Sequence, residues 1–244
     1  VHLEPAFYVD TRVTFDRAFT QVVADAKHGH DIYALQEPLQ PGDSLTLDFD
    51  VKLERRGFRN SGVGNAGAGI AVLENGTYFT SGALPVVGYQ PLRELWSADD
   101  RRRYDLPRQV TLPAPADIDP GIASSAAARF EAVVGTDSDQ VAVAPGELRR
   151  TWSDGGRRYF QYVSDVPITG MDVFFSADYV VHREQRNPSA GSGQAIDLQV
   201  FVHPAHAKHL DRLLRGVRAS LDYYAAQFGP YPYRFLQVVE QPGN

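Results

Sequence analysis

Three histidines near the C-terminal end of the chain have the side-chain type most often found on metals. His203, His206 and His209 are spaced by three residues, whereas two histidines on one helical face ligate a metal best at a spacing of four. No carboxylate at a matching position offers an obvious third ligand. We therefore favour a surface or capping role for them over a metal site, and more strongly so for His28 and His30, which flank a glycine in a polar loop.

Motifs of other catalytic centres are absent from the sequence. The 244 residues contain no H-E-x-x-H zinc motif, no Gly-x-Ser-x-Gly elbow, and no Walker or dinucleotide-binding glycine pattern. The chain also has no cysteine, which excludes disulfides and thiolate metal sites. We predict that this chain by itself holds neither catalytic residues nor a cofactor.

The charge of the chain bears on which classes of partner it can bind. The formal net charge of −6 argues against a nucleic-acid partner. We interpret Asp99-Asp100 followed by Arg101-Arg102-Arg103 as a solvated, self-compensating turn, with an ionic docking patch as the less favoured alternative. No apolar run approaches the roughly 18–20 residues that cross a bilayer. Membrane contact is therefore expected only through segments outside this chain.

Most of the first two hundred residues follow a β pattern. Apolar and polar residues alternate over Leu45–Leu53, Met171–Val181 and Ile196–Val202. Weaker strand patterns occur at Phe7–Phe15, Ile32–Leu35, Gly69–Leu73, Arg129–Val134, Leu148–Trp152 and Arg158–Val163. Exposed loops are predicted at residues 59–67, 113–127 and 187–194. These patterns predict a mainly β fold, an antiparallel β-sandwich or large folded sheet.

A long amphipathic helix is predicted from Pro204 to Phe228. Its apolar stripe has helical spacing and comprises Leu210, Leu213, Leu214, Val217, Leu221, Tyr224 and Phe228. Gly229-Pro230 ends the helix, and the apolar strand Phe235–Val239 follows. The preceding strand Ile196–Val202, the helix and this last strand together predict the start of an α/β unit.

The C-terminal order of strand, helix, Phe228-Gly229-Pro230-Tyr231-Pro232-Tyr233 turn and strand resembles zinc aminopeptidases of the aminopeptidase N and leukotriene hydrolase family. In that family the segment begins the thermolysin-like catalytic domain, and H-E-x-x-H lies further along. The resemblance implies a β-rich N-terminal domain at residues 1–194 and a truncated peptidase domain at 195–244. We expect this chain to be the front part of a longer protein.

A second resemblance covers Gly82–Tyr89, which is similar to the family segment Ala-Phe-Pro-Cys-Phe-Asp-Glu-Pro. Gly88 and Tyr89 replace the acidic pair, a form that looks like the divergent bacterial branch fused to membrane transport permeases. In typical members a Glu or Gln nine residues before Pro85 holds the substrate's amine, and here Gly76 has that place. The substrate-binding residues implied by the resemblance are Glu74, Asn75, Gly76, Gly88 and Tyr89. Asn75-Gly76-Thr77 also fits a glycosylation sequon, but we favour a hairpin turn there.

The resemblance implies a non-catalytic N-terminal portion of a zinc metallopeptidase, walling a peptide-binding cleft and inactive alone. The zinc would belong to the full-length parent, and the parent's substrate would be a peptide. The alternative is a non-enzymatic peptide- or protein-binding domain of a transporter-associated, degenerate peptidase, with transporter subunits as partners. The resemblance also implies a membrane-anchored, extracytoplasmic domain of a bacterial protein, with a cytoplasmic location as the alternative.

Overall fold

The computed structural model describes residues 7–25, 29–55, 70–73, 75–80, 84–85, 87, 95, 97–107, 128–167, 173–187 and 195–243. The chain divides into two compact units, Val1–Asn60 and Ser61–Asn244. Predicted loop residues 59–67, 113–127 and 188–194 lie outside the described residues. The predicted domain boundary between residues 194 and 195 stays a prediction.

The first unit consists of two antiparallel ribbons. β1 (Phe7–Phe15) pairs with β4 (Leu47–Arg55), and β2 (Phe19–Asp25) pairs with β3 (His30–Leu35). The rings of Phe15, Phe19 and Tyr33 meet edge to face with centroids 5.0–5.7 Å apart. The sequence did not predict β2, because an irregularity between Gln21 and Val23 interrupts its period of two.

The second unit contains the remaining strands and helices. Its strands are β5 (Ile70–Leu73), β6 (Gly76–Thr80), β7 (Glu131–Asp137), β8 (Val141–Val143), β9 (Glu147–Asp154), β10 (Arg157–Val163), β11 (Val173–Ala177), β12 (Val180–Arg186), β13 (Ile196–Val202) and β14 (Phe235–Val239). They form sheets in the orders β5-β6-β11-β8, β7-β10-β9 and β12-β13-β14. Among the described strands of this unit, every pairing except that of β13 with β14 is antiparallel. The mainly β, antiparallel fold predicted from the sequence is therefore confirmed.

The prediction of a single strand from Met171 to Val181 is wrong, because the chain turns between Ala177 and Val180. β11 ends at Ala177, β12 begins at Val180, and the Tyr179 amide donates a hydrogen bond to the Ala177 carbonyl at 2.9 Å. Ala177, Tyr179 and Val181 nevertheless share one apolar cluster with Phe201. The period of two thus continues across the turn, which is why the pattern did not reveal that the chain changes sheets.

A buried apolar cluster stabilises the β part of this unit. Ala142, Ala144, Phe160, Tyr162 and Phe174 are its buried members. The Tyr162 hydroxyl donates to the Ala142 carbonyl at 2.8 Å, which satisfies the one polar atom of that side chain. Burial raises the pKa of Tyr162 well above its ordinary value, so this tyrosine stays neutral.

The predicted turn at residues 99–103 is instead a short helix, α1 (Ala98–Arg103). The Ser97 side chain accepts a hydrogen bond from the Asp100 amide at 3.3 Å, and the acidic first turn and basic last turn complement the helix dipole. Arg101 is buried, and its guanidinium donates to the carbonyls of Pro107 and Leu95. The basic run is therefore only partly solvated, contrary to the prediction.

The C-terminal β-α-β unit agrees with the sequence except at the start of its helix. Residues Pro204–His209 form a 3-10 helix, and the α-helix α2 runs from Leu210 to Phe228. Proline favours the first helical turn, whereas the His206 amide bonds to the His203 carbonyl at 2.9 Å in the tighter 3-10 spacing. β13 and β14 are parallel, as a strand-helix-strand connection requires.

Only part of the predicted apolar stripe of α2 is packed against the sheet. Leu214 is 3% exposed and joins Leu198, Val200 and Val202 in one buried cluster. Phe228, at the end of the stripe, is 81% exposed. The helix therefore covers one part of the sheet and leaves apolar side chains uncovered on another.

Candidate functional site

The carboxyl ends of the parallel strands β13 and β14 carry a cluster of polar side chains. His203 directly follows β13, and Glu240 directly follows β14. The His203 amide donates to Oε2 of Glu240 at 2.8 Å, and Nδ1 of His206 contacts Oε1 of the same carboxylate. The Glu240 amide donates in turn to the Phe201 carbonyl at 2.9 Å. One carboxylate thus fixes the segment that connects β13 to the helix.

The environment of Glu240 favours its charged form. Partial burial disfavours the carboxylate, but the His203 amide and the His206 ring outweigh that effect, so the pKa of Glu240 lies below its ordinary value. The carboxylate is therefore an acceptor at neutral pH and is engaged within the chain. These contacts indicate a structural role for Glu240.

Tyr179 completes the cluster from the turn between β11 and β12. Its hydroxyl donates to the Glu240 carbonyl at 2.7 Å, and its ring lies 5.1 Å from the ring of His203. Burial raises the pKa of Tyr179 well above its ordinary value. Nε2 of His203 is buried without a hydrogen-bond partner in the described part of the chain. No sequence pattern pointed to Tyr179 as a member of this cluster, because its neighbours come from distant segments of the chain.

Two of the predicted substrate-binding residues lie beside the segment that follows β14. β5 and β6 form a hairpin in which Leu73 pairs with Gly76, so the predicted hairpin turn at Asn75 is confirmed. The Asn75 side-chain amide donates to the Gly243 carbonyl at 2.8 Å. Glu74, Gly88 and Tyr89, the other predicted residues, lie outside the described part of the chain. Whether these five residues bind substrate stays a prediction.

The backbone of Gly76 lies very close to β11 and to the segment that follows β14, a junction that we call the Gly76 junction. A Cβ atom there would lie 2.6 Å from the Ser176 carbonyl oxygen, 2.7 Å from the Ala177 Cβ and 2.9 Å from Pro242 Cγ. Its φ of 151° is also unfavourable for residues with a side chain. Glycine at this position therefore allows the hairpin turn to close on residues 242–243.

Ion pairs hold α2 toward β12, the strand at the opposite edge from β14. Nε of Arg218 donates to Glu184 at 2.8 Å, and Arg186 pairs with Asp222. The hydrogen bond from Arg218, supported by His182, lowers the pKa of Glu184 to about 2. These pairs lie on one side of the helix, and its other side is open toward β14.

The open side is an apolar groove of about 1100 Å³. Apolar side chains of α2 and β14 line it, and the aromatic-proline turn closes one end; these residues include Leu213, Val217, Leu221, Tyr224, Phe228, Pro230, Tyr231, Leu236 and Val238. His206, His209 and Arg212 line it as well, near the start of the helix. The sequence predicted the apolar stripe but not this groove, because the groove depends on how the helix is oriented.

The described residues contain no group of three or more His, Cys, Asp or Glu side chains that could hold a metal ion. His206 contacts Glu240, and His209 lies on the groove. The cluster therefore fits the positioning of chain segments. In the part of the chain that the structure describes, no helix combines the length and apolar character needed to cross a membrane.

The fold matches that of solved zinc aminopeptidases. An M1 zinc metallopeptidase from Deinococcus radiodurans superposes with a TM-score of 0.53 at 15% identity, covering 96% of this chain and 48% of that one. A mutant of that protein bound to a Tyr-Ser-Ala substrate gives the same TM-score at 14% identity. Aminopeptidase A from Legionella pneumophila, in complex with aspartic acid, gives 0.57 at 11% identity, covering 98% and 25%.

These comparisons concern the fold. No protein-family model and no curated protein matches the chain. The chain spans about half the length of the Deinococcus structures and a quarter of the Legionella one. Its mainly β architecture is that of the β-rich N-terminal part of an aminopeptidase.

Proposed function

We propose that this chain is the N-terminal, non-catalytic portion of an aminopeptidase-like zinc metallopeptidase and walls one side of its peptide-binding cleft. The observation that carries the proposal is the junction at Gly76, where the β5–β6 hairpin closes on residues 242–243 at the end of the β-α-β unit. Support also comes from the fold, which matches about half of a zinc metallopeptidase.

In this proposal the chemistry belongs to the other half of the protein. Zinc bound there would supply an activated water for attack on a peptide carbonyl. The residues of this chain would position the cleft wall: Asn75 holds the Gly243 carbonyl, and Glu240 holds the start of the segment before α2. Alone, the chain would be inactive.

A version of the protein extended beyond residue 244 tests the proposal. We expect the extended protein to bind one zinc per chain and to hydrolyse aminoacyl-p-nitroanilides, and the 244-residue chain to do neither. Asn75→Ala in the extended protein should raise KM more than it lowers kcat, whereas Asn187→Ala, at an exposed position, serves as the control. An extended protein with neither zinc nor hydrolysis would contradict the proposal.

A second candidate function is a non-enzymatic, peptide- or protein-binding domain of a degenerate peptidase associated with a transporter. The observation that favours it is Gly76, which has the place where typical family members carry the Glu or Gln that holds the substrate's amine. A membrane-anchored, extracytoplasmic location in a bacterium, with transport permease subunits as partners, belongs to this proposal. An extended protein that lacks H-E-x-x-H, carries membrane-spanning segments and binds unhydrolysed peptides would support it.

A further inference from the structure

Asn75 and Gly76 are the one place in the sequence where glycine follows asparagine. The other asparagines precede Ser61, Ala66 and Pro188 or stand at position 244. Asparagine is a thermolabile residue, because the backbone nitrogen of the next residue can attack its side-chain amide. A following glycine has no Cβ atom to hinder that approach. The pair is therefore the part of the sequence most prone to spontaneous deamidation.

The pair lies where the β5–β6 hairpin meets the segment that follows β14. Asn75 is exposed, whereas Gly76 is buried and pairs with Leu73 across the hairpin. Nδ2 of Asn75, the atom that leaves on deamidation, donates to the Gly243 carbonyl at 2.8 Å. Attack requires the side chain to turn toward the Gly76 nitrogen, so a hydrogen bond that fixes the amide slows the reaction. Water reaches this side chain, and the junction controls its orientation.

We propose that Asn75 is a deamidation site and that its modification opens the Gly76 junction irreversibly. The Gly76 nitrogen forms a bond to Cγ of Asn75, the Cγ–Nδ2 bond breaks, and the proton of the Gly76 amide leaves with Nδ2 as ammonia. Water then opens the cyclic succinimide to aspartate, or to isoaspartate, in which the main chain runs through the side-chain carbon. Water is the one co-reactant, and the proposal does not depend on the proposed function.

Both products remove the hydrogen bond that closes the junction. A carboxylate at position 75 has no proton to donate to the Gly243 carbonyl and places a negative charge beside that oxygen. Isoaspartate also adds a carbon to the main chain of the hairpin turn, which disturbs the pairing of Leu73 with Gly76. A Cβ atom at Gly76 would lie within 3 Å of the Ser176 carbonyl oxygen and of Pro242 Cγ, so the junction has no room to absorb the change.

The segment that follows β14 is also held at a second point, away from Asn75. The Tyr179 hydroxyl donates to the Glu240 carbonyl at 2.7 Å, and Oε2 of Glu240 accepts the His203 amide. Removing the Tyr179 hydroxyl therefore loosens the segment that carries Gly243 and leaves the reacting pair unchanged. The rate of deamidation should then increase, because the junction opens more often.

Storage of the 244-residue chain in mildly alkaline buffer, followed by peptide mapping with mass spectrometry, tests the site. We expect Asn75 to be converted first, to both aspartate and isoaspartate. The other internal asparagines, Asn60, Asn65 and Asn187, serve as references. A synthetic peptide of residues 73–79 gives the intrinsic rate, and the folded chain should react more slowly than this peptide. Equal rates in chain and peptide, or earlier conversion of another asparagine, would overturn the proposal.

Variants separate control by the junction from general loss of stability. Tyr179→Phe should raise the rate at Asn75 about two- to tenfold, the shift in a local equilibrium expected from one net hydrogen bond. Tyr231→Phe should not, because the Tyr231 hydroxyl bonds to the Phe235 carbonyl at the other end of β14. Leu214→Ala, which removes buried contacts beneath the helix, should raise the rate less than Tyr179→Phe. An unchanged rate in Tyr179→Phe, or an equal rise in Leu214→Ala, would contradict control by the junction.

Asn75→Asp reproduces one of the two products and tests the effect on the junction. Backbone amides of Glu240, Gln241 and Gly243 should exchange with deuterium faster in Asn75→Asp and in the stored, modified chain than in the fresh chain. Asn187→Asp, at an exposed position, makes the same chemical change elsewhere and should leave these amides unaffected. Unchanged exchange in Asn75→Asp and in the modified chain would show that deamidation does not open the junction.

Discussion

The backbone amide of His203 donates a hydrogen bond to Oε2 of Glu240 across the carboxyl ends of two parallel strands, at 2.8 Å. The other oxygen of this carboxylate contacts His206, and the Glu240 carbonyl accepts the hydroxyl of Tyr179. A single residue thus joins the end of β14, the start of the helical segment and the turn after β11. Its charge and its backbone both contribute to the geometry of the candidate site.

Removing the charge of Glu240 is expected to destabilise the second unit. Glu240→Gln should lower the free energy of unfolding by about 1–2 kcal/mol at pH 7, because charged acceptors form stronger hydrogen bonds. The pKa of Glu240 is lowered on folding, so its contribution is present above the unfolded pKa and lost as pH falls through the folded one. Urea unfolding at pH 7 and at progressively lower pH measures this contribution. Asp178→Asn, at an exposed position, is the control. An equal effect of Glu240→Gln at every pH would contradict the prediction.

The ion pair between Arg218 and Glu184 predicts a second pH dependence. Arg218→Gln should lower the free energy of unfolding at neutral pH, by the small amount typical of an exposed ion pair. Because the pKa of Glu184 is lowered to about 2, the contribution is complete above the unfolded pKa of about 4.5 and disappears between there and about 2. Thermal unfolding of the wild-type and variant chains should therefore differ at pH 7 and converge in acid. Arg215→Gln should show neither effect.

Gly76 and Gly216 should respond oppositely to alanine. Gly76→Ala places a Cβ within 3 Å of the Ser176 carbonyl oxygen and the Ala177 Cβ, neither of which can move without a backbone shift. The variant should lower the free energy of unfolding by at least about 1–3 kcal/mol. Gly216 lies within α2 with nothing within 4 Å of its added Cβ, so Gly216→Ala should stabilise the helix by about 1 kcal/mol. Chemical denaturation measures both. A tolerated Gly76→Ala would show that residues 242–243 can move away from the hairpin.

Leu214 and Leu221 should differ although both belong to the predicted stripe. Leu214 is 3% exposed, and Leu214→Ala should cost about 2–5 kcal/mol in this chain. Leu221 lines the open groove, so Leu221→Ala should lower the free energy of unfolding less in this chain than in the extended protein. Urea unfolding of each variant, in this chain and in the extended protein, measures the difference. Equal losses of stability for Leu221→Ala in the two proteins would show that Leu221 is already fully packed in this chain.

The sequence determined the elements whose patterns are local. β1 and β13 have the predicted bounds, and the helix ends at Phe228 as Gly229-Pro230 indicated. The Asn75-Gly76 hairpin was also predicted, because turn residues carry their own backbone preference. The family resemblance holds at the level of the fold, since a strand-helix-strand order and its turn are properties of neighbouring residues.

Only the tertiary structure decided how these elements meet. The turn between Ala177 and Val180 keeps the strand alternation, so no local pattern separates β11 from β12. Contacts between residues far apart in the chain, such as Asn75 with Gly243 or His203 with Glu240, have no periodicity that a sequence displays. The groove arises from the orientation of α2, and that orientation depends on packing energies summed over the helix and the sheet. The sequence thus determined which faces are apolar, and the fold decided which of them are covered.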